Sequence, residues 1–137
     1  MEARGGGARG ARLRYAAAAL AFVAELIHLW AVTQEFAVFP TRGLPLIPIA
    51  ACQGVLAMSL LFGPSRWMLG FGVLFNLLVA SLWAFTRIVG VPSGEVFVRL
   101  PVGVADLAVT VVEIVLVVLL VELMRDLRRR KWKGRQR

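Results

Sequence analysis

Residues 102–121 read VGVADLAVTVVEIVLVVLLV, a stretch that holds fourteen Val, Leu and Ile residues together with two acids, Asp106 and Glu113. An α-helix needs about 20 apolar residues to cross the hydrocarbon core of a bilayer, which is roughly 30 Å thick. Each acid costs about 2.5–3.5 kcal/mol on insertion, whereas the fourteen aliphatic residues together return roughly 6 kcal/mol. Because the two terms nearly balance, the stretch predicts a membrane-spanning helix whose acids face other protein groups rather than lipid.

Three further apolar stretches, at residues 15–32, 44–62 and 67–85, predict that the chain crosses the bilayer four times. The first contains Glu25 and His28, and its hydrophobicity resumes after Glu25, which favours a retained helix over a cleaved signal peptide. With 59% hydrophobic residues in a chain of 137, the composition is too apolar for a soluble domain of this size. The predicted fold class is therefore all-α, a polytopic membrane protein built as an antiparallel bundle of four transmembrane helices.

Basic residues are concentrated at both ends of the chain. Four Arg lie before residue 15, and eight Lys and Arg follow Met124. Cytoplasmic flanks carry the excess of positive charge, so both termini are predicted to be cytoplasmic at a bacterial inner membrane, against anionic lipid. The predicted organisation is a basic disordered leader at 1–13, a transmembrane domain at 14–124 and a basic tail at 125–137. The net charge of +8 then requires no nucleic-acid partner.

The longer of the two predicted outer connections covers residues 87–101. Gly90, Pro92 and Gly94 interrupt any helix there, yet the segment also contains Val96 and Phe97 and is too apolar for a freely solvated loop. We therefore expect it to form a lid over the outer mouth of the bundle.

Polar residues inside the predicted spans indicate a functional centre. Gly103, Asp106, Thr110 and Glu113 are spaced to share one helix face, and the spans that contain Glu25 and Asn76 show a similar spacing. Counting residues along each span predicts a mid-membrane layer to which every helix contributes. The predicted ligand- or metal-binding residues are Glu25, His28, Gln53, Asn76, Asp106 and Glu113. Glu35 and Arg87 are predicted to lie beneath the lid as gate residues, with Arg87 paired to Asp106 or Glu35.

The chain resembles small four-helix membrane proteins of high-GC bacteria, a family with no settled biochemical role. Residues 28–113 carry the resemblance, through His28-Leu29-Trp30, Gln34-Glu35-Phe36, Pro40, Gly43, Gln53, Asn76, Leu82-Trp83, Thr86-Arg87, Gly90, Pro92, Gly94, Gly103, Asp106 and Glu113. The family often carries a second His immediately after the acid that corresponds to Glu35, where this chain has Phe36. The resemblance therefore implies no pair of outer histidines here.

Three functions from different classes fit these residues. The first is a metal or redox-cofactor site, in which His28, Glu25 and Glu113 bind a metal ion or His28 binds haem, because the Glu-x-x-His spacing brings both groups to successive turns. The second is proton-coupled transport of a small solute by a homo-oligomer, centred on Glu25. The third is a non-catalytic accessory subunit of a larger membrane complex. We find no activated nucleophile in the sequence, so no catalytic residue is predicted.

Overall fold

The computed structural model describes residues 5–38, 43–93, 96–100 and 102–135. Within these ranges the chain is mostly helical, in agreement with the all-α prediction, and a short hairpin joins the last two helices. In chain order the elements are α1 (Gly5–Val38), α2 (Leu46–Phe62), α3 (Arg66–Ile88), β1 (Val91–Ser93), β2 (Val96–Val98) and α4 (Val104–Arg135).

Three helical segments are long and apolar enough to cross a membrane: Ala8–Ala37, Arg66–Ile88 and Val104–Arg130. They indicate a membrane protein. The fourth helix, α2, has 17 residues, which corresponds to about 25 Å at 1.5 Å per residue and is shorter than the roughly 30 Å hydrocarbon core. Pro45 immediately precedes α2, and Gly63, which immediately follows α2, has φ +111°. Both ends of α2 are therefore set by residues that interrupt helices.

The connection after α3 contains an antiparallel hairpin. The sequence analysis predicts a lid at residues 87–101 but no strands within it. Val91 pairs with Val98, and Ser93 pairs with Val96. Gly90 has φ +107°, and a Cβ atom at this position would lie 2.8 Å from the backbone of Val98. Glycine is required here because the two backbones approach each other too closely for a side chain.

Helix α1 packs against α2 and α4, α4 packs against α3, and a smaller contact joins α2 to α3. A cluster of buried apolar residues fills the space between the helices near the first half of α1 and the second half of α4. We call it the apolar seal; it consists of Ala17, Ala18, Ala21, Leu56, Ala57, Leu60, Leu69, Leu116, Leu120 and Leu123. We refer to this part of the molecule as the basic end and to the opposite part, beside β1 and β2, as the hairpin end.

The predicted disordered leader differs from the structure, because α1 begins at Gly5, and α4 continues through most of the predicted basic tail to Arg135. Residues 5–13, expected to be a disordered leader, therefore form the first turns of α1. Gly10 has no side chain, and this lets α1 approach the side chains of Asp126 and Arg130 on α4. An ion pair of 2.8 Å between Arg130 and Asp126, one helical turn apart, supports the last turns of α4. Residues 1–4 and 136–137 lie outside the described residues.

Candidate functional site

A cavity of about 490 Å³ lies between the helices at the hairpin end. Its walls come from all four helices, from Val91 on β1 and from Leu100 just after β2. The polar residues that line it are His28, Glu35, Trp83, Thr86, Arg87, Asp106, Thr110 and Glu113. The remaining walls are mainly aliphatic, so the cavity has a few polar groups on an apolar background.

His28 and Glu113 form the most deeply buried polar contact of the cavity. His28 on α1 is 5% exposed and Glu113 on α4 is 1% exposed. His28 Nε2 lies 3.5 Å from Glu113 Oε1, and His28 Nδ1 lies 2.8 Å from the backbone oxygen of Ala24. A carbonyl oxygen only accepts hydrogen bonds, so the Nδ1 atom of His28 carries a proton. A hydrogen bond between His28 Nε2 and Glu113 then requires one additional proton, either on Nε2 or on the carboxylate.

Arg87 and Asp106 form an ion pair nearer the hairpin. Arg87 Nη2 donates to Asp106 Oδ2 at 2.6 Å, and the backbone nitrogen of Gly103 donates to the same oxygen at 3.2 Å. Arg87 Nη1 also donates to Thr86 Oγ1 at 2.8 Å, and the guanidinium carbon lies 5.6 Å from the centre of the Trp83 ring. This is one of the two pairings that the sequence predicts for Arg87; the other candidate, Glu35, lies in helix α1 and lines the cavity.

Gln53 and Asn76 form a separate polar contact that joins α2 to α3. Gln53 Nε2 donates to Asn76 Oδ1 at 2.9 Å, and Asn76 Nδ2 donates to the backbone oxygen of Gly72 at 2.7 Å. Both side chains are fully buried, and neither is among the residues that line the cavity. Amides of this kind commonly connect membrane helices, so the pair has the geometry of an interhelical link.

Glu25 is directed toward α2 rather than toward His28 and Glu113. A Cβ atom at Gly54 would lie 2.5 Å from Glu25 Oε1, so the carboxylate occupies the space that the glycine leaves open. Residues three apart on a helix differ in direction by about 60°, which is enough for Glu25 to reach α2 while His28 reaches α4. The predicted polar layer is therefore divided between different helix interfaces.

This division corrects the predicted metal site of His28, Glu25 and Glu113. Among the residues that the structure describes, no group of three or more His, Cys, Asp or Glu side chains is placed to hold a metal ion. The cavity brings together two members of the predicted trio, His28 and Glu113. Catalytic zinc sites usually have three protein ligands and structural ones four, so the geometry does not match either pattern.

Three polar atoms of the cavity residues have no hydrogen-bond partner within the described part of the chain: Trp83 Nε1, Arg87 Nε and Glu113 Oε1. The first two are donors and the third is an acceptor. A buried polar group without a partner costs about 1–3 kcal/mol. The polar residues that line the cavity carry both hydrogen-bond donors and acceptors, as a binding site requires.

The sequence predictions do not include Trp83, Thr86 or Thr110 as site residues. Thr110 shares the helix face of Asp106 and Glu113, and Trp83 continues the stripe of Asn76 toward Arg87. That spacing is the signal that identifies these two, whereas for Thr86 we find no sequence signal.

Comparison of the chain with protein-family models, with curated proteins and with solved structures gives no match. The resemblance to small membrane proteins of high-GC bacteria stays a prediction, and the function is inferred from the site itself.

Proposed function

We propose that the chain is a bacterial inner-membrane protein that spans the bilayer four times as an antiparallel bundle, with both termini in the cytoplasm. The basic residues at both ends support this orientation, because cytoplasmic flanks carry the excess of Lys and Arg. Helix α2 is the shortest of the proposed spans. A hydrophobic stretch shorter than the hydrocarbon core is accommodated by local thinning of the bilayer, which would bring the connections on either side of α2 into the headgroup regions. In this orientation the hairpin end faces outward.

The proposed role of the cavity is to bind a small organic molecule from the outer side of the membrane. The observation that carries this proposal is a cavity of about 490 Å³ in which the buried pair of His28 and Glu113 and the ion pair of Arg87 and Asp106 lie among apolar walls. Ligand pockets in proteins typically have volumes of about 300–1,000 Å³ and combine apolar walls with a few placed polar groups. The cavity has both properties.

The apolar seal favours binding over conduction. Its leucines and alanines fill the basic end of the bundle beyond the cavity, where buried groups such as Leu60 and Leu116 are fully enclosed. A polar solute would lose its hydrogen bonds on entering that region, so transport would require the seal to open. We therefore favour a binding protein or the ligand-binding subunit of a membrane complex over a transporter.

Filling the cavity tests the proposal. Thr110 lines it, whereas its neighbour Val111 is 55% exposed on the outside of the same helix. Thr110→Phe and Val111→Phe therefore add a similar bulk to adjacent positions with different surroundings. We expect native mass spectrometry of the purified full chain to detect a bound organic molecule in wild type and Val111→Phe and to find it lost in Thr110→Phe.

The opposite results would contradict the proposal. These are a folded wild-type protein that carries no such molecule, or a molecule retained equally by all three proteins. A circular dichroism spectrum and an unchanged elution volume would establish that Thr110→Phe is folded.

A further inference from the structure

A second, smaller depression of about 290 Å³ lies on the side of the bundle between α1 and α4. Its lining is apolar and consists of Val23, Leu26, Ile27, Trp30, Ala105 and Ala108. We call it the side groove. Val23, Leu26 and Trp30 are between 41% and 54% exposed, so in the proposed orientation these walls face lipid.

The side groove adjoins the cavity. Ile27 on α1 and Ala105 on α4 line both spaces and form the boundary between them. On one side of this boundary lie polar groups such as His28 and Asp106; on the other side the walls are purely apolar. The two spaces together match a molecule with a polar head and an apolar chain.

We propose that the ligand of the cavity is a single-chain amphiphile. Its head lies in the cavity, and its chain crosses the boundary between Ile27 and Ala105 into the side groove and the surrounding lipid. This inference rests on the proposed function, because it names the class of molecule that the same cavity binds. It also gives the side groove a role that the cavity alone does not require.

The polar residues that line the cavity define the chemistry of the head. Trp83 and Arg87 carry donors and Asp106 and Glu113 carry acceptors, so a head that contains both acceptors and donors matches them. The charge of Arg87 is already paired with Asp106, so the head need not carry a negative charge. A compact neutral head with ester and hydroxyl groups, as in a monoacylglycerol, fits these requirements.

The acyl chain of the ligand adds little affinity of its own. It affects binding because it needs a path out of the cavity. Lipid tails are as apolar as the walls of the side groove, so moving a chain from lipid into the groove returns little free energy. Confining the acyl chain inside the cavity would instead place it against the polar groups there. A blocked boundary should therefore weaken binding of a long-chain amphiphile much more than binding of a short-chain one, which fits inside the cavity.

The experiment uses the full chain in phosphatidylcholine nanodiscs, with two radiolabelled probes, monooleoyl glycerol and monobutyryl glycerol, and empty nanodiscs as the background. Ala105→Phe and Ile27→Phe each block the boundary, from α4 and from α1. Val104→Phe is the matched control, because Val104 precedes Ala105 and is 89% exposed. Thr110→Phe fills the cavity itself.

We expect both boundary variants to bind monooleoyl glycerol about tenfold more weakly than wild type, because a chain forced against the added ring would be overpacked. Monobutyryl glycerol binding should weaken much less in them, although both residues also line the cavity, and Val104→Phe should bind both probes normally. Equal loss of both probes in the boundary variants, an unchanged affinity for monooleoyl glycerol, or failure of wild type to bind it would overturn the inference. The proposed function fails separately, if Thr110→Phe still binds every ligand that wild type binds.

Discussion

His28 on α1 and Glu113 on α4 face each other across 3.5 Å in the interior of a helical membrane protein, and Glu113 Oε1 has no hydrogen-bond partner in the described ranges. The pair joins two helices whose contact also includes much of the apolar seal. An acid at this depth is expensive to insert, and a structural role alone would be served by an apolar residue of similar size. The contact is therefore the centre of the proposed binding site.

Replacing Glu113 by Gln should separate stability from binding. The Gln amide can donate to His28 Nε2 and removes a buried carboxylate, so we expect the free energy of unfolding to rise by about 1 kcal/mol. Binding of the cavity ligand should decrease, because the amide uses its donor on His28 and changes the head-group contact. Thermal unfolding in detergent and native mass spectrometry measure the two effects. Glu113→Ala is the comparison, because it also leaves a cavity: a loss of stability in Glu113→Gln as large as in Glu113→Ala would show that the carboxylate itself stabilises the fold and would contradict the prediction.

The Arg87 and Asp106 ion pair should show energetic coupling. Arg87→Met and Asp106→Asn each leave one partner without its counter-ion, and we expect each to destabilise the protein by about 1–2 kcal/mol, since the Asp106 side chain is 35% exposed and partly screened. The double variant should cost less than the sum of the two single variants by about 1 kcal/mol. Reversible denaturation in mixed micelles of all four proteins gives the coupling. Simple additivity would mean that the pair contributes no net stability.

Two glycines of α3 should respond oppositely to the same substitution. A Cβ atom at Gly72 would lie 2.9 Å from methyl groups of both Leu56 and Leu120, whereas at Gly70 it would meet no atom within 4 Å. We expect Gly72→Ala to destabilise the protein by about 1–3 kcal/mol through overpacking of the apolar seal. Gly70→Ala should stabilise it by up to about 1 kcal/mol, because Ala favours the helix. Denaturation midpoints of the two variants measured side by side check this, and a shift of the same sign in both would contradict the packing.

The number of spans can be tested at the connection between α2 and α3. If α2 crosses the membrane, Ser65 faces the cytoplasm and Val96 of the hairpin faces outward. In a Cys52→Ala background, a membrane-impermeant thiol reagent added to spheroplasts should label Val96→Cys and spare Ser65→Cys. Inverted vesicles should give the reverse pattern. Labelling of Ser65→Cys from the outside would show that α2 does not cross and would change the orientation of everything that follows it.

Long apolar helices and the interior position of the polar residues are predictable from the sequence, because both follow from local composition. The 3, 4, 3 spacing of Gly103, Asp106, Thr110 and Glu113 places them on one face of any regular helix. Helix ends were less predictable. Residues 5–13 and 125–135 extend α1 and α4, supported by the close approach of the two helices at Gly10 and by ion pairs within α4, which composition alone does not reveal.

The sequence by itself determined that this chain is apolar enough for a membrane, has strongly basic ends and carries acids and one histidine in its helices, since these are properties of single segments. Only the tertiary structure decided which polar groups meet. Glu25 and His28 are one turn apart, yet the first lies against Gly54 on α2 and the second against Glu113 on α4. The rotation of each helix about its axis selects between these partners, and that rotation is set by how small and large side chains from all the helices fit together.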